Sequence, residues 1–223
     1  MMCRHLENNH GLIRVSQFRL GRSIVNATAD LPRTRSPRNV LRLVNHHTNI
    51  STLLVHAASY LPRCAQDTVK RLWPGPFLPE CVILKTKKPE PGWEEEWANE
   101  RRMYDKLKDL QGSVIPVFYG DAEFNGKPAL LLSYVAGPPL FEVSHLEVAD
   151  VRRKLEEAFL PLEQHGVYQD DPKMGNLILA DGDRLVNVDL ERVYEFDEPG
   201  DGPYVTESGI QHIIRFYNGP KTK

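Results

Sequence analysis

The residues best equipped for chemistry lie in two short stretches. Gln169-Asp170-Asp171-Pro172-Lys173-Met174-Gly175-Asn176 places two carboxylates, an ammonium and two carboxamides in one loop, and Asp189 in Val188-Asp189-Leu190-Glu191 adds an acid at the end of a strand-like run. Upstream, the β-prone run Cys81-Val82-Ile83-Leu84 delivers a second cation, Lys85. Carboxylate and carboxamide oxygens are hard ligands of the type magnesium prefers. Phosphoryl transfer asks a protein for little more than positive charge at the phosphates, a bridging metal and an oriented nucleophile. A plainer reading of the same residues is a solvated turn broken by Pro172 and Gly175, with Asp189 as a charge at a strand end. Convergence of the side chains in space separates the two readings.

The elements that must hold these residues follow from apolar spacing. From Trp93 to Leu110, Trp93, Trp97, Tyr104 and Leu107 fall on one helical stripe, and the position missing from that stripe is Glu100. A carboxylate on a core-facing stripe is costly unless a cation meets it, so this helix asks for a basic partner. Val114–Phe118 reads as a strand, and Asn125-Gly126 is a two-residue turn into a strand over Pro128–Val135. Gly137-Pro138-Pro139 breaks the sheet, and Ser144-His145-Leu146-Glu147 has the form of a capping box before a helix with Val148, Val151, Leu155, Phe159 and Leu162 on one face. Pro161 is expected to kink or end that helix and Gly166 to stop it. Leu177–Ala180 and Arg184–Leu190 form a hairpin across Asp181-Gly182, and Ile210, Ile213, Ile214 and Tyr217 define a last amphipathic helix. Earlier, Ile50–Cys64 is modestly apolar and Asp67–Trp73 is expected to be a short strand.

Strand with lysine, helix with inward glutamate, strands, connector, helix, Asp-rich loop and a hairpin ending in aspartate: this order resembles the protein-kinase-like superfamily, and is most similar to atypical fungal kinase-like proteins. The resemblance covers roughly residues 67–195. It implies an α+β, two-lobed fold, with a small antiparallel-sheet N-lobe over residues 50–136 and a shortened helical C-lobe over residues 137–223. It also implies ATP and Mg2+ as cofactors. Lys85 would contact the nucleotide phosphates and be oriented by Glu100, and Ser133 and Val135 would meet adenine through their backbone groups. Asp171 would be the catalytic base, Lys173 would neutralise the transferred phosphoryl group, and Asn176 and Asp189 would hold the metal. The sequence departs from the family pattern in several places. No Gly-x-Gly-x-x-Gly loop precedes Lys85, Gln169-Asp170 stands where the family has His-Arg, and Glu191 replaces the glycine of Asp-Phe-Gly. The expected function is an ATP/Mg-dependent phosphotransferase acting on a protein or small-molecule hydroxyl. The alternatives are a pseudokinase that binds a partner or nucleotide without turnover, a small-molecule kinase of the aminoglycoside phosphotransferase type, and an unrelated α+β interaction module.

Composition bounds these readings. The chain has 223 residues, with 41% hydrophobic and 26% charged residues, which excludes disordered and fibrous classes. No apolar run reaches the roughly 18 residues of a membrane-spanning helix, so no membrane partner is expected. Three cysteines, Cys3, Cys64 and Cys81, form no CxxC pair and suggest a reducing compartment. The eight histidines show no zinc-ligand spacing. Residues 1–50 hold eight arginines and no lysine against Glu7 and Asp30. That segment reads as a poorly ordered leader over residues 1–49, with an organelle transit peptide as the alternative. No aromatic interleaving accompanies the arginines, so nucleic acid is not an expected partner. The expected location is cytoplasmic, or mitochondrial if the leader is a transit peptide.

Overall fold

The computed structural model describes residues 14–21, 23–30, 39–45, 49–198, 200 and 202–219. The chain forms two compact units, Met1–Pro89 with Phe118–Tyr134, and Glu90–Val117 with Val135–Lys223. They interleave along the sequence, unlike the contiguous division at residue 136 that the motifs imply.

The first unit is a closed antiparallel barrel of β1 (Arg14–Leu20), β2 (Ser23–Asp30), β3 (Val40–Asn45), β4 (Cys81–Thr86), β5 (Phe118–Phe124) and β6 (Lys127–Ser133), in the order β1-β2-β3-β4-β6-β5. Closure comes from β1 pairing with β5, where Arg19 faces Glu123 and Leu20 faces Ala122. Period-two alternation fills the interior with Phe18, Leu20, Val25, Ala27, Ala29, Leu43, Val82, Leu84, Ala129 and Leu131. The expected kinase-like, two-lobed fold is therefore corrected. Its small N-lobe sheet is instead a six-stranded barrel without open edges, and residues 14–45 of the expected leader supply three of the strands. The physical reason lies in β1, where Phe18 and Leu20 point inward while Gln17 and Arg19 are exposed. Outward Arg19 disguises the strand as part of a basic leader.

Two helices, α1 (Asn49–Ser59) and α2 (Arg63–Leu72), connect β3 to β4. The second replaces the strand expected over Asp67–Trp73, because Ala65, Val69 and Leu72 repeat with a helical period after Pro62. The hairpin between β5 and β6 forms as its turn residues dictate, with Asn125 at φ 50° and Gly126 at φ 73°. β5 begins only at Phe118, so the strand expected from Val114 starts late.

The second unit contains α3 (Glu94–Lys106), α4 (Val148–Gln164), β7 (Val167–Gln169), β8 (Leu177–Ala180), β9 (Arg184–Asn187), β10 (Val193–Glu195) and α5 (Gly202–Tyr217). α4 packs on α5, on β7 and on β9, burying Val151, Leu155, Ala158, Phe159 and Leu162. No side-chain cap forms at its start, so the expected Ser144 capping box is absent, and the helix continues through Pro161 to Gln164. Gly137 sits at φ 147°, and a Cβ there would lie 2.1 Å from the Leu179 carbonyl oxygen. Only glycine lets this segment approach β8 so closely. Among the cysteines, Cys64 is free and exposed and Cys81 is disulfide-bonded, which departs from the expectation of reduced thiols, while Cys3 lies outside the described residues. No helix among the described residues is long and apolar enough to cross a membrane.

Barrel packing predicts that Leu84→Ala, at a side chain with no exposure, loses about 2–5 kcal/mol of stability in urea unfolding. Ile24→Ala, at a residue 70% exposed, changes it by less than about 0.5 kcal/mol.

Candidate functional site

The site is assembled entirely within the second unit. Two ribbons bring its loops together. β7 and β10 pair antiparallel with Gln169 opposite Val193 and Tyr168 opposite Tyr194, so the loop leaving β7 starts where the loop entering β10 ends. The Asp170 N–H donates to the Arg192 carbonyl at 2.9 Å, and the two side chains form an ion pair at 3.7 Å. In the second ribbon, β8 and β9 pair with Leu177 opposite Asn187 across a turn with Asp181 at φ 52° and Gly182 at φ 73°. This register puts Asn176 beside Val188, whose N–H donates to the Asn176 carbonyl at 2.9 Å. Asn176 and Asp189, far apart in sequence, become neighbours for that reason.

Hydrogen bonds then fix the side chains. Asn176 Nδ2 donates to Asp189 Oδ2 at 3.2 Å, and the Glu191 N–H donates to Asp189 Oδ1 at 3.3 Å. Asn187, 1% exposed, accepts from the Asp189 N–H at 3.3 Å and donates to Gln169 Oε1 at 2.8 Å. It ties the β7 end to the Asp189 turn. Helix α3 closes the arrangement: Asn99 Nδ2 donates to the carbonyls of Glu191 at 3.2 Å and Val193 at 2.7 Å. The adjacent Glu100 is fully buried with Met103 and Tyr104. One carboxylate oxygen from each of Glu100, Asp189 and Glu191 lies within 4.8 Å of the others. Carboxylates so close, with Glu100 and Glu191 buried, demand positive charge or proton donors nearby.

Asp171 and Lys173 form an ion pair at 2.5 Å in the same loop, with Lys173 the more exposed. The sequence-selected residues thus come together in three pieces of one unit: Asp171 with Lys173, Asn176 with Asp189, and Glu100 with Asp189. Val135 also belongs to this unit, whereas Lys85 and Ser133 belong to the barrel. Lys85 lies on β4 opposite Leu130, on the strand face that carries Ile83 and not on the interior face of Val82 and Leu84. Ser133 ends β6 opposite Val82. Sequence reasoning passed over Glu191, Asn99 and Asn187. The signal for Glu191 was present in its spacing, since in Asp189-Leu190-Glu191 the buried Leu190 separates two acids that share one side of the turn.

A separate recess of about 640 Å³ is lined by Arg102, Tyr168, Asp170, Tyr194, Glu195 and Asp197. Burial pushes the Tyr168 hydroxyl above its ordinary pKa, and the charges of Asp170 and Asp197 push it further. Hydrogen bonding from Lys106 holds the Glu195 carboxyl below its usual range, aided by Arg102. Three carboxylates against one guanidinium make this recess unsuited to a polyphosphate. No protein-family model and no curated protein matches this chain.

Asn187→Leu keeps the branched outline of the side chain but leaves the Asp189 N–H and Gln169 without their partner. The expected loss is about 1–3 kcal/mol in urea unfolding. An unchanged midpoint would remove Asn187 from the framework of the site.

Proposed function

We propose that the chain is an ATP- and magnesium-dependent phosphotransferase that acts on an alcohol hydroxyl, with Asp171 as its base. The observation that carries the reading is the grouping of Glu100, Asp189 and Glu191, bonded to Asn176 through Asp189 and placed in the same unit as the Asp171–Lys173 pair. The donor set consists of carboxylate and carboxamide oxygens, without sulfur or imidazole. It fits a hard divalent cation. Asp189, Glu191 and Asn176 would hold the ion. A magnesium ion held by these residues would supply positive charge for the phosphates.

The chain's own residues do the remaining work. Asp171 accepts the proton of the acceptor hydroxyl as that oxygen bonds to the γ-phosphorus and the bond to the β-phosphate oxygen breaks, releasing ADP. Lys173 supplies positive charge beside the same carboxylate and, on the family resemblance, faces the transferred group. Lys85, Ser133 and Val135 enter the nucleotide part of the reading on resemblance alone. A second reading, binding without turnover, is favoured by one observation. Both Asp189 oxygens already accept hydrogen bonds, from Asn176 and from the Glu191 N–H, an arrangement that is complete without a metal.

Thermal unfolding with millimolar ATP and magnesium separates these readings. Binding at a hundredfold excess over Kd is worth about 2.7 kcal/mol, a rise in Tm of roughly 5 °C or more. Asp171→Asn is expected to keep that rise while ATP turnover falls about 10²–10⁴-fold. A rise with no turnover in the unmodified chain would establish the binding-only reading. No rise at all would contradict both.

A further inference from the structure

The helical pair between β3 and β4 presents a surface that the phosphotransfer reading does not use. Along α1, Ala58 is the one buried side chain among the described ones, whereas Leu53, Leu54 and Val55 are exposed, Leu53 by 68%. The turn that follows exposes Tyr60 and Leu61. An apolar helix of this kind is ordinarily covered. α2 has the opposite character: Ala65, Val69, Leu72 and Trp73 fall on one helical stripe, and the rest of the helix is polar. Leu72 and Trp73 at the end of that stripe are exposed.

Charge identifies what covers this surface. Residues 49–73 contain Arg63, Lys70 and Arg71 against a single acid, Asp67, in a chain whose net charge is −2. Lys70 is exposed beside the stripe that ends in Leu72 and Trp73. A second copy of the chain would set two positive hairpins against each other. A sheet of anionic headgroups over an apolar interior is complementary in both respects: exposed Lys70 meets the headgroups, and leucine and aromatic side chains enter the boundary beneath them. Tyr60 and Trp73 are of the side-chain type that settles at that boundary.

We propose that the α1–α2 hairpin docks on the surface of an anionic lipid bilayer, seating exposed Leu53, Leu54, Tyr60, Leu72 and Trp73 at the headgroup–acyl boundary. The contact lies on the membrane and does not span it. The absence of a spanning run in the sequence, from which no membrane partner was expected, therefore does not bear on it.

The experiment is co-sedimentation of the full chain with phosphatidylcholine vesicles, and with vesicles in which roughly one third of the lipid is phosphatidylserine. Retention is expected on the anionic vesicles and is expected to weaken as salt rises. Lys70→Gln should weaken it about fivefold, the worth of one surface charge, and Leu53→Ser with Trp73→Ser should abolish it. These side chains are exposed, so unchanged thermal unfolding of the variants is the control for folding. Failure to bind either vesicle overturns the proposal, as does retention that the variants leave unchanged. A concentration-dependent dimer that Leu53→Ser with Trp73→Ser dissolves, without vesicle retention, also overturns it and assigns the surface to a second copy.

Discussion

Three carboxylates held within 4.8 Å of one another are the feature around which the second unit is organised. At an effective dielectric constant of about 20, each fully ionised pair at that spacing repels by roughly 3 kcal/mol. Hydrogen bonds from Asn176 and the Glu191 backbone to Asp189 offset part of this cost. A chain that spends folding free energy to bring such groups together must recover it through positive charge, whether from a side chain, a proton or a metal ion. The proposed function places among these carboxylates a divalent cation that also binds phosphate.

The positioning devices are ordinary elements of secondary structure used with care over register. A one-residue slip in the β8–β9 hairpin would turn Asn187 away from Gln169 and move Asn176 off Val188, because alternate residues of a strand face opposite sides. Helix α3 adds its own constraint through Asn99, whose amide donates to the carbonyls of Glu191 and Val193 at the entry to β10. That contact fixes the helix rotation that buries the neighbouring Glu100. Local turn chemistry at Asp181-Gly182, strand register and helix rotation therefore act on the same few atoms.

Much of the second unit was legible because its signals are local. Glu100 interrupted an otherwise apolar stripe, and it is buried on α3 along with Met103 and Tyr104. Asp181-Gly182 adopts the positive φ angles its residue types favour, as does Asn125-Gly126 in the barrel, whose hairpin is a local signal there. The barrel was not legible, since its closure depends on β1 meeting β5 across about a hundred residues and Arg19 on its outer face reads as part of a leader. The interior alanines Ala27 and Ala29 are small enough for a closed barrel but contribute little to a hydrophobic pattern. Glu191 was passed over for another reason. Within the family motif it reads only as the residue in place of a glycine, whereas its importance comes from burial beside Asp189.

A bound cation is what the carboxylate cluster calls for, and direct titration detects it without reference to turnover. Isothermal titration calorimetry of the full chain with magnesium chloride is expected to show one saturable site, lost in Asp189→Asn, whose fold is checked by an unchanged thermal midpoint. Heats no larger than dilution in the unmodified chain, or the same isotherm in Asp189→Asn, would contradict it.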